Sequence, residues 1–309
     1  MKRLCFAALL LSATTGFAIP IASSARAMVP SEIQQLIGVD YRALKDSPTA
    51  QALKQQVLPD NLKEFETALK GIGIDSDHDL DQLSFASFRT EKKGIQIIGV
   101  AQGSFSAKAV LKKLKLKKIA ATKYGTSSIY PMDNGFVMTF LDDNTLAFGT
   151  TASLHSALDT RDGKRPSMDS NPIMTDQMTA VDSAPLWSIL DQQGTQAMMF
   201  SALGDASKVG DFDSLKKRIL ASRYTMNFQS GVNFDLSVQT ADAMTASTLS
   251  TVLKGVMLYK KLSASPIEKT AIDAATVDAD SANLQVHFKT DDQKFQSLMH
   301  SPLFAAVSR

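Results

Sequence analysis

The chain's single cysteine, Cys5, lies in an N-terminal stretch that has the three parts of a cleavable secretory leader. Lys2 and Arg3 form the basic start, Leu4 to Leu11 an apolar run that continues weakly to Ile21, and Ala25-Arg26-Ala27 a small-x-small cleavage site. Ser12, Thr14, Thr15, Gly16 and Pro20 interrupt the run, which falls short of the roughly 20 apolar residues a membrane anchor needs. No lipobox of small residues precedes Cys5. The expectation is removal of residues 1–27 and export to the periplasm or the extracellular space. What folds afterwards has no disulfide, thiol nucleophile or thiolate ligand, so a hydrophobic core must hold it together. Its 282 residues (309 − 27) suffice for two domains of ordinary size.

Loss of the leader also changes the charge. It carries Lys2, Arg3 and Arg26 and no acid, which takes the formal net charge from +2 to −1 (2 − 3). A near-neutral body gives no global case for nucleic acid as a partner. No later segment is long and apolar enough to span a bilayer.

A polar stretch from Thr160 to Pro172, with Gly163 and Pro166, divides the remainder nearly in half. Residues 28–160 read as a first α+β domain, 161–172 as a linker and 173–309 as a second α+β domain. In the first, 37–44 reads as a strand and Asp46-Ser47-Pro48 as a helix start; helices over 50–57 and 61–70 are broken at Pro59 and closed by Gly71. Strands follow at 82–89 and 95–102, then a helix over 107–116 capped by Ser106, strands at 127–130, 135–141 and 145–150, and a helix over 152–159. In the second, 184–190 and 196–203 read as strands, 213–220 as a helix, and 223–229 with 233–239 as a hairpin turning at Ser230-Gly231. Helices over 241–262 and 266–276, a strand over 284–289 and a helix over 294–299 complete it. The Ile97 to Gln102 strand with its helix matches the Phe234 to Gln239 strand with its helix. The order predicts an α+β fold: two similar antiparallel-sheet-plus-helix domains from a diverged tandem duplication, with helices on one face of each sheet and a groove between the halves.

Three patterns resemble sites and each has a plainer reading. Asp75-Ser76-Asp77-His78-Asp79-Leu80-Asp81 begins like a calcium loop, but Leu80 and Ala86 stand where the turn glycine and the bidentate glutamate belong. The plainer reading is a helix-to-strand joint with solvated carboxylates. Ser214-Leu215-Lys216-Lys217, Ser281-Ala282-Asn283 and Lys289-Thr290-Asp291 imitate the three elements of a serine acyl-enzyme, with Asp291 in place of the required glycine. His78, His155, His287 and His300 form no H-E-x-x-H pair, and no glycine-rich phosphate loop is present, so neither a metal nor a cofactor is expected. Methionines such as Met198 and Met199 read as core filler, and the sole tryptophan, Trp187, as a core or interface anchor.

The sharpest lead is local charge. Between Lys92 and Met132 there is no acid, and nine lysines fall in that window. Lys108, Lys112 and Lys115 share one face of the helix over 107–116, opposite Val110, Leu111 and Leu114, and Lys113, Lys117 and Lys118 adjoin them. One reading is a docking patch for an anionic surface, a lipid headgroup or an acidic protein; the other is an ordinary solvated helix face. Few aromatics lie among these lysines, which argues against single-stranded nucleic acid.

Ile37-Gly38-Val39-Asp40-Tyr41-Arg42-Ala43-Leu44 with Ser47-Pro48, Gly73-Ile74-Asp75 with Asp79-Leu80-Asp81, Ala101-Gln102-Gly103-Ser104-Phe105 and Leu146-Ala147-Phe148-Gly149 resemble exported bacterial two-domain α+β proteins of unassigned function. The resemblance covers residues 36–160. It implies a structural role for the Gly-Ile-Asp and Asp-Leu-Asp pair and carries no catalytic residues. Two functions follow as expectations: a non-catalytic exported binding or interaction protein, using an apolar inter-domain groove or the lysine-rich face, and an exported hydrolase whose site assembles only in the fold.

Overall fold

The computed structural model describes residues 21–57, 60–90, 94–203 and 212–307. Among them the strands are β1 (Ile33–Asp40), β2 (Leu80–Thr90), β3 (Gly94–Gly103), β4 (Thr122–Tyr124), β5 (Ser127–Pro131), β6 (Val137–Phe140), β7 (Thr145–Gly149), β8 (Leu186–Leu190), β9 (Ile219–Asn227), β10 (Val232–Thr240), β11 (Ala275–Asp280) and β12 (Asn283–Thr290). They form one twelve-stranded sheet in the order β11-β12-β10-β9-β8-β1-β2-β3-β7-β6-β5-β4, and the pairings between neighbours are antiparallel. The fold is α+β, but the two expected sheets are one. The seam is the β1–β8 pair, which joins strands from either side of the 161–172 stretch in a register centred on Ile37 and Ser188.

Helices cover both faces. The first part of the chain supplies α1 (Ser23–Arg26), α2 (Tyr41–Leu44), α3 (Pro48–Val57), α4 (Asp60–Ile72), α5 (Ser76–Asp79), α6 (Ala107–Leu116) and α7 (Thr151–Arg161). The rest supplies α8 (Pro172–Thr179), α9 (Gln192–Leu203), α10 (Phe212–Lys216), α11 (Ala243–Ser263), α12 (Pro266–Ala274), α13 (Asp292–Met299) and α14 (Pro302–Val307). Strand side chains alternate between faces, so neighbouring residues go to different cores. Leu83, Ala101, Leu146 and Phe148 meet Phe65, Leu69, Val110 and Leu114 of α4 and α6. Ala86, Ile98, Ala147, Trp187 and Ile189 meet Leu154, Ala157, Leu158, Met174 and Met178 of α7 and α8 on the opposite face. Helices on a single face were expected, yet the central strands bury both of theirs.

The halves interlock. Ala50 and Leu53 of α3 pack with Phe228, Val232, Phe295, Leu298 and Met299 from the later part of the chain, and Thr49 Oγ1 donates to Asp292 at 2.6 Å. The 161–172 stretch is also packed: Met168 is fully buried and donates its N–H to the Val29 carbonyl at 2.8 Å, beside a Pro30–Ser167 bridge.

Capping chemistry sets most helix starts. Ser47, Ser106, Thr150, Asn171, Asp242 and Ser265 each accept an N–H from the first turn that follows. Several readings are corrected. Residues 41–44, read as the end of a strand, form helix α2, whose start Asp40 caps by accepting from Ala43 N at 2.9 Å. Residues 196–203 are helix α9, not a strand; Asp191 Oδ1 accepts from Gly194 N at 2.7 Å and Met199 is buried while Phe200 is exposed, a helical pattern that a short apolar run hides. Gly71 lies inside α4, which closes on Gly73 at φ +86° with Ile74 N bonded to Leu69 O at 3.0 Å. The break expected at Pro59 lies outside the described residues, as do residues 91–93 of the 91–94 turn expected between the 82–89 and 95–102 strands.

Candidate functional site

The six lysines singled out in sequence all sit on or just after α6, and all are exposed. The helix starts on Ser106 and buries Ala107, Val110 and Leu114 against the sheet, with Leu111 half-buried, so the lysine positions face solvent. Its end is a Schellman turn: Ile119 N bonds Leu114 O and Lys118 N bonds Lys115 O, both at 3.0 Å. That turn places Lys118 at φ 56°, the left-handed region usually filled by glycine.

The structure divides the six into two groups. Lys113 Nζ donates to Gly73 O at 3.2 Å and Lys117 Nζ to Gly71 O at 2.6 Å. These carbonyls belong to the C-terminal end of α4, where the helix dipole is negative, so both lysines cap a helix. A Cβ at Gly73 would come within 2.2 Å of the Lys113 ammonium, the movable end of a flexible side chain, so the requirement for glycine there comes from its positive φ. Lys108, Lys112, Lys115 and Lys118 have no carboxylate partner among the described residues. Beside them lies an open depression of about 440 Å³ lined by Leu111, Lys115, Lys118, Ile119, Ala120 and Tyr130. Leu116, 76% exposed, projects from the same helix end. Ammonium groups around an apolar floor fit an anionic headgroup carrying apolar substituents. Sequence reasoning missed Ile119 and Tyr130, which reach the lysines only through the turn and β5.

The seam holds a second, smaller space. It is about 100 Å³ and is lined by Val39, Leu44, Leu53, Leu83 and Phe85 together with Leu186 and Phe228 from beyond the seam. Lys54 closes its edge through Glu66 at 2.6 Å and Asp77 at 3.3 Å, and lies over the Tyr41 ring at 4.8 Å from its centre. Tyr41 donates its hydroxyl to Glu66 at 2.9 Å; burial, then the Glu66 charge, drives its pKa far above the ordinary phenol value. A phenol so strongly protonated does not serve as a base near neutral pH. Ligand pockets usually span about 300–1,000 Å³, so this space is well below that range.

The other sequence patterns find structural uses. Asp75 caps α5 by accepting from Asp77 N and His78 N, Asp79 accepts from Asp75 N at 2.8 Å, and Asp81 pairs with Arg42 at 2.7 Å. The His78 ring, then the Asp77 N–H, holds the Asp75 carboxyl below its usual pKa. Among the described residues no three metal-ligating side chains gather at one point. Asn283 and Lys289, from the second and third elements of the acyl-enzyme pattern, stand at opposite ends of β12, six residues apart (289 − 283), which at about 3.3 Å per residue is roughly 20 Å, too far for one active site. His287 pairs with Asp235 at 2.5 Å on an exposed part of the sheet, and His155 stacks on Tyr124 at 3.7 Å. Tyr124 donates to Asp159 at 2.8 Å and that bond raises its pKa, the opposite of an activated phenol.

No family model matches the chain, and no curated protein matches it. Solved structures similar to the chain include TP0453 in crystal form I, at 9% identity and a TM-score of 0.51 over 91% of this chain and 98% of that one, and TP0453 in crystal form III, at 10% identity and a TM-score of 0.50 over 89% and 97%. At these identities the likeness is one of fold alone. No helix among the described residues is long and apolar enough to cross a membrane.

Proposed function

We propose that this is a non-catalytic exported protein that docks on an anionic amphiphile surface, with Lys108, Lys112, Lys115 and Lys118 taking the charged headgroups and the depression beneath them taking apolar substituents. The observation that carries this reading is the Lys118 backbone. A left-handed φ costs an ordinary residue on the order of 1 kcal/mol that glycine avoids, and here the position holds a lysine at the rim of the depression. Four lysines without acidic partners add a local field that the near-neutral total conceals. The test is cosedimentation of the protein with vesicles of phosphatidylglycerol and phosphatidylcholine against phosphatidylcholine alone at low salt. Preference for the anionic vesicles is expected, and equal binding contradicts the proposal.

The same reading includes the tandem duplication. Its support is a recurring order about the β1–β8 seam: a strand, helices, the β2–β3 or β9–β10 hairpin, helix α6 or α11, then the β6–β7 or β11–β12 hairpin and helix α7 or α13. The two strands whose sequences match, β3 and β10, hold equivalent places in that order. An experimental structure in which the two halves fail to superpose through these strands removes the idea.

A further inference from the structure

Residues Ile21 to Val29 are built into the folded body. Ile21 and Ala25 are 6% and 3% exposed, Met28 and Val29 0% and 3%, and all four belong to the core beneath α7 and α8. Ala25 lies in the short α1 turn, and Ile21 directly precedes its N-cap, Ala22. The polar groups of the segment are committed too. Arg26 pairs with Asp169 at 2.6 Å, Ser24 Oγ donates to Asp142 at 3.3 Å, and Ser31 N donates to Pro166 O at 3.0 Å. The segment therefore ties the β6–β7 turn to the stretch before α8. A cut after Ala27 takes away Ile21, Ala25 and Arg26 together, uncovers the apolar neighbours of the first two and leaves Asp169 without its cation.

The sequence holds a second small-x-small site upstream, Gly16-Phe17-Ala18, followed by Ile19. Reach separates the two sites. A leader's apolar run stays in the bilayer while the peptidase works at the outer surface, so the bond to be cut must lie close to the end of that run. Measured from Leu11, where the uninterrupted apolar run gives way to Ser12 and its weak continuation, Ala18 is seven residues on (18 − 11), at most about 25 Å of extended chain, and Ala27 sixteen (27 − 11), up to about 55 Å. Removal of 1–18 keeps all three parts of a leader and leaves every described residue of the body in place.

The geometry points to the Ala18–Ile19 peptide bond as the processing site, with residues 21–27 retained as part of the folded protein. The step is hydrolysis: the C–N bond breaks, water gives its hydroxyl to the Ala18 carbonyl carbon and its hydrogen to the Ile19 nitrogen, and the new acid's proton passes to that amine, so the leader leaves as a carboxylate and Ile19 carries an ammonium group. Water is the only co-reactant.

Intact mass and N-terminal sequencing of the full chain, expressed in a Gram-negative host and recovered from its periplasm, test this directly. A chain starting at Ile19 is expected; a start at Met28, any other start, or retention of Met1 overturns it. Two variants separate the sites. Ala18→Leu is expected to block processing and Ala27→Leu to leave it unchanged, and the reverse pattern overturns the assignment. Chains 19–309 and 28–309, made without a leader, test the packing itself: the shorter should melt on the order of 5 °C lower, and equal melting temperatures contradict the claim that residues 21–27 belong to the body.

Discussion

The N–H of Lys118 donates to the carbonyl of Lys115 at 3.0 Å while Lys118 holds a φ of 56°, so two lysines close the end of α6 and both line one depression. A glycine at position 118 would close the same turn with less strain. Lys118→Gly is therefore expected to raise stability by up to about 1 kcal/mol and to weaken binding to anionic vesicles at the same time. Chemical denaturation and cosedimentation of the one variant check both signs; a variant that gains stability with no loss of binding contradicts the role given to Lys118.

Lys113 and Lys117 behave differently because their ammonium groups sit on the α4 carbonyls of Gly73 and Gly71. Their replacement by glutamine should lower stability by about 0.5 kcal/mol each, the usual scale of a cation at a helix C-terminus, and leave vesicle binding largely intact. Denaturant midpoints at low and high salt read the effect, which added salt should shrink.

The seam rests on a close approach. Gly38 of β1 faces Trp187 of β8, and a side chain at Gly38 would meet the indole ring at 2.4 Å. Trp187 is 1% exposed and packed within the core on its face of the sheet. Gly38→Val should cost about 1–3 kcal/mol through overpacking, measured as a fall in the denaturant midpoint with a blue-to-red shift of the single tryptophan's emission. An unchanged midpoint shows that the two halves do not depend on this contact.

Acid stability should depend on Glu268. Its carboxylate accepts from Ser265 N at 2.8 Å and Leu303 N at 2.8 Å, and also from the Ser265 hydroxyl, which together hold its pKa below the ordinary 4.5. A depressed carboxylate stabilises the fold above its unfolded pKa, and that contribution disappears as pH falls through the folded value. The melting temperature of Glu268→Gln should therefore lie below the wild type at neutral pH and converge with it in acid. A gap that stays constant from pH 7 to pH 3 contradicts the assignment.

Local chemistry was legible in the sequence and the arrangement was not. Ser106, Ser47-Pro48 and Ser230-Gly231 mark their helices and hairpin because capping and turns are set by residues within a few positions of one another. The β1–β8 pairing joins residues about 150 positions apart and leaves no periodic trace, so one sheet reads as two. Short edge strands such as β4 and β11 were missed because little of them is buried: Ala275–Asp280 alternates small apolar with polar residues, yet only Val277 is buried, and its start reads as the end of the preceding helix. The lysines of the candidate site were visible as a charge run. Their division into helix caps and a free group was not, because it depends on where the α4 terminus arrives.

That division also gives the most direct test of the account. Replacing Lys108, Lys112, Lys115 and Lys118 together by glutamine keeps the helix and removes the group without acidic partners, while the Lys113→Gln, Lys117→Gln pair removes similar charge from the same neighbourhood. Cosedimentation with phosphatidylglycerol vesicles at low salt should fall at least tenfold for the fourfold variant and change little for the pair. Equal loss in both, or binding by the fourfold variant at the wild-type level, contradicts the claim that this face is the docking surface.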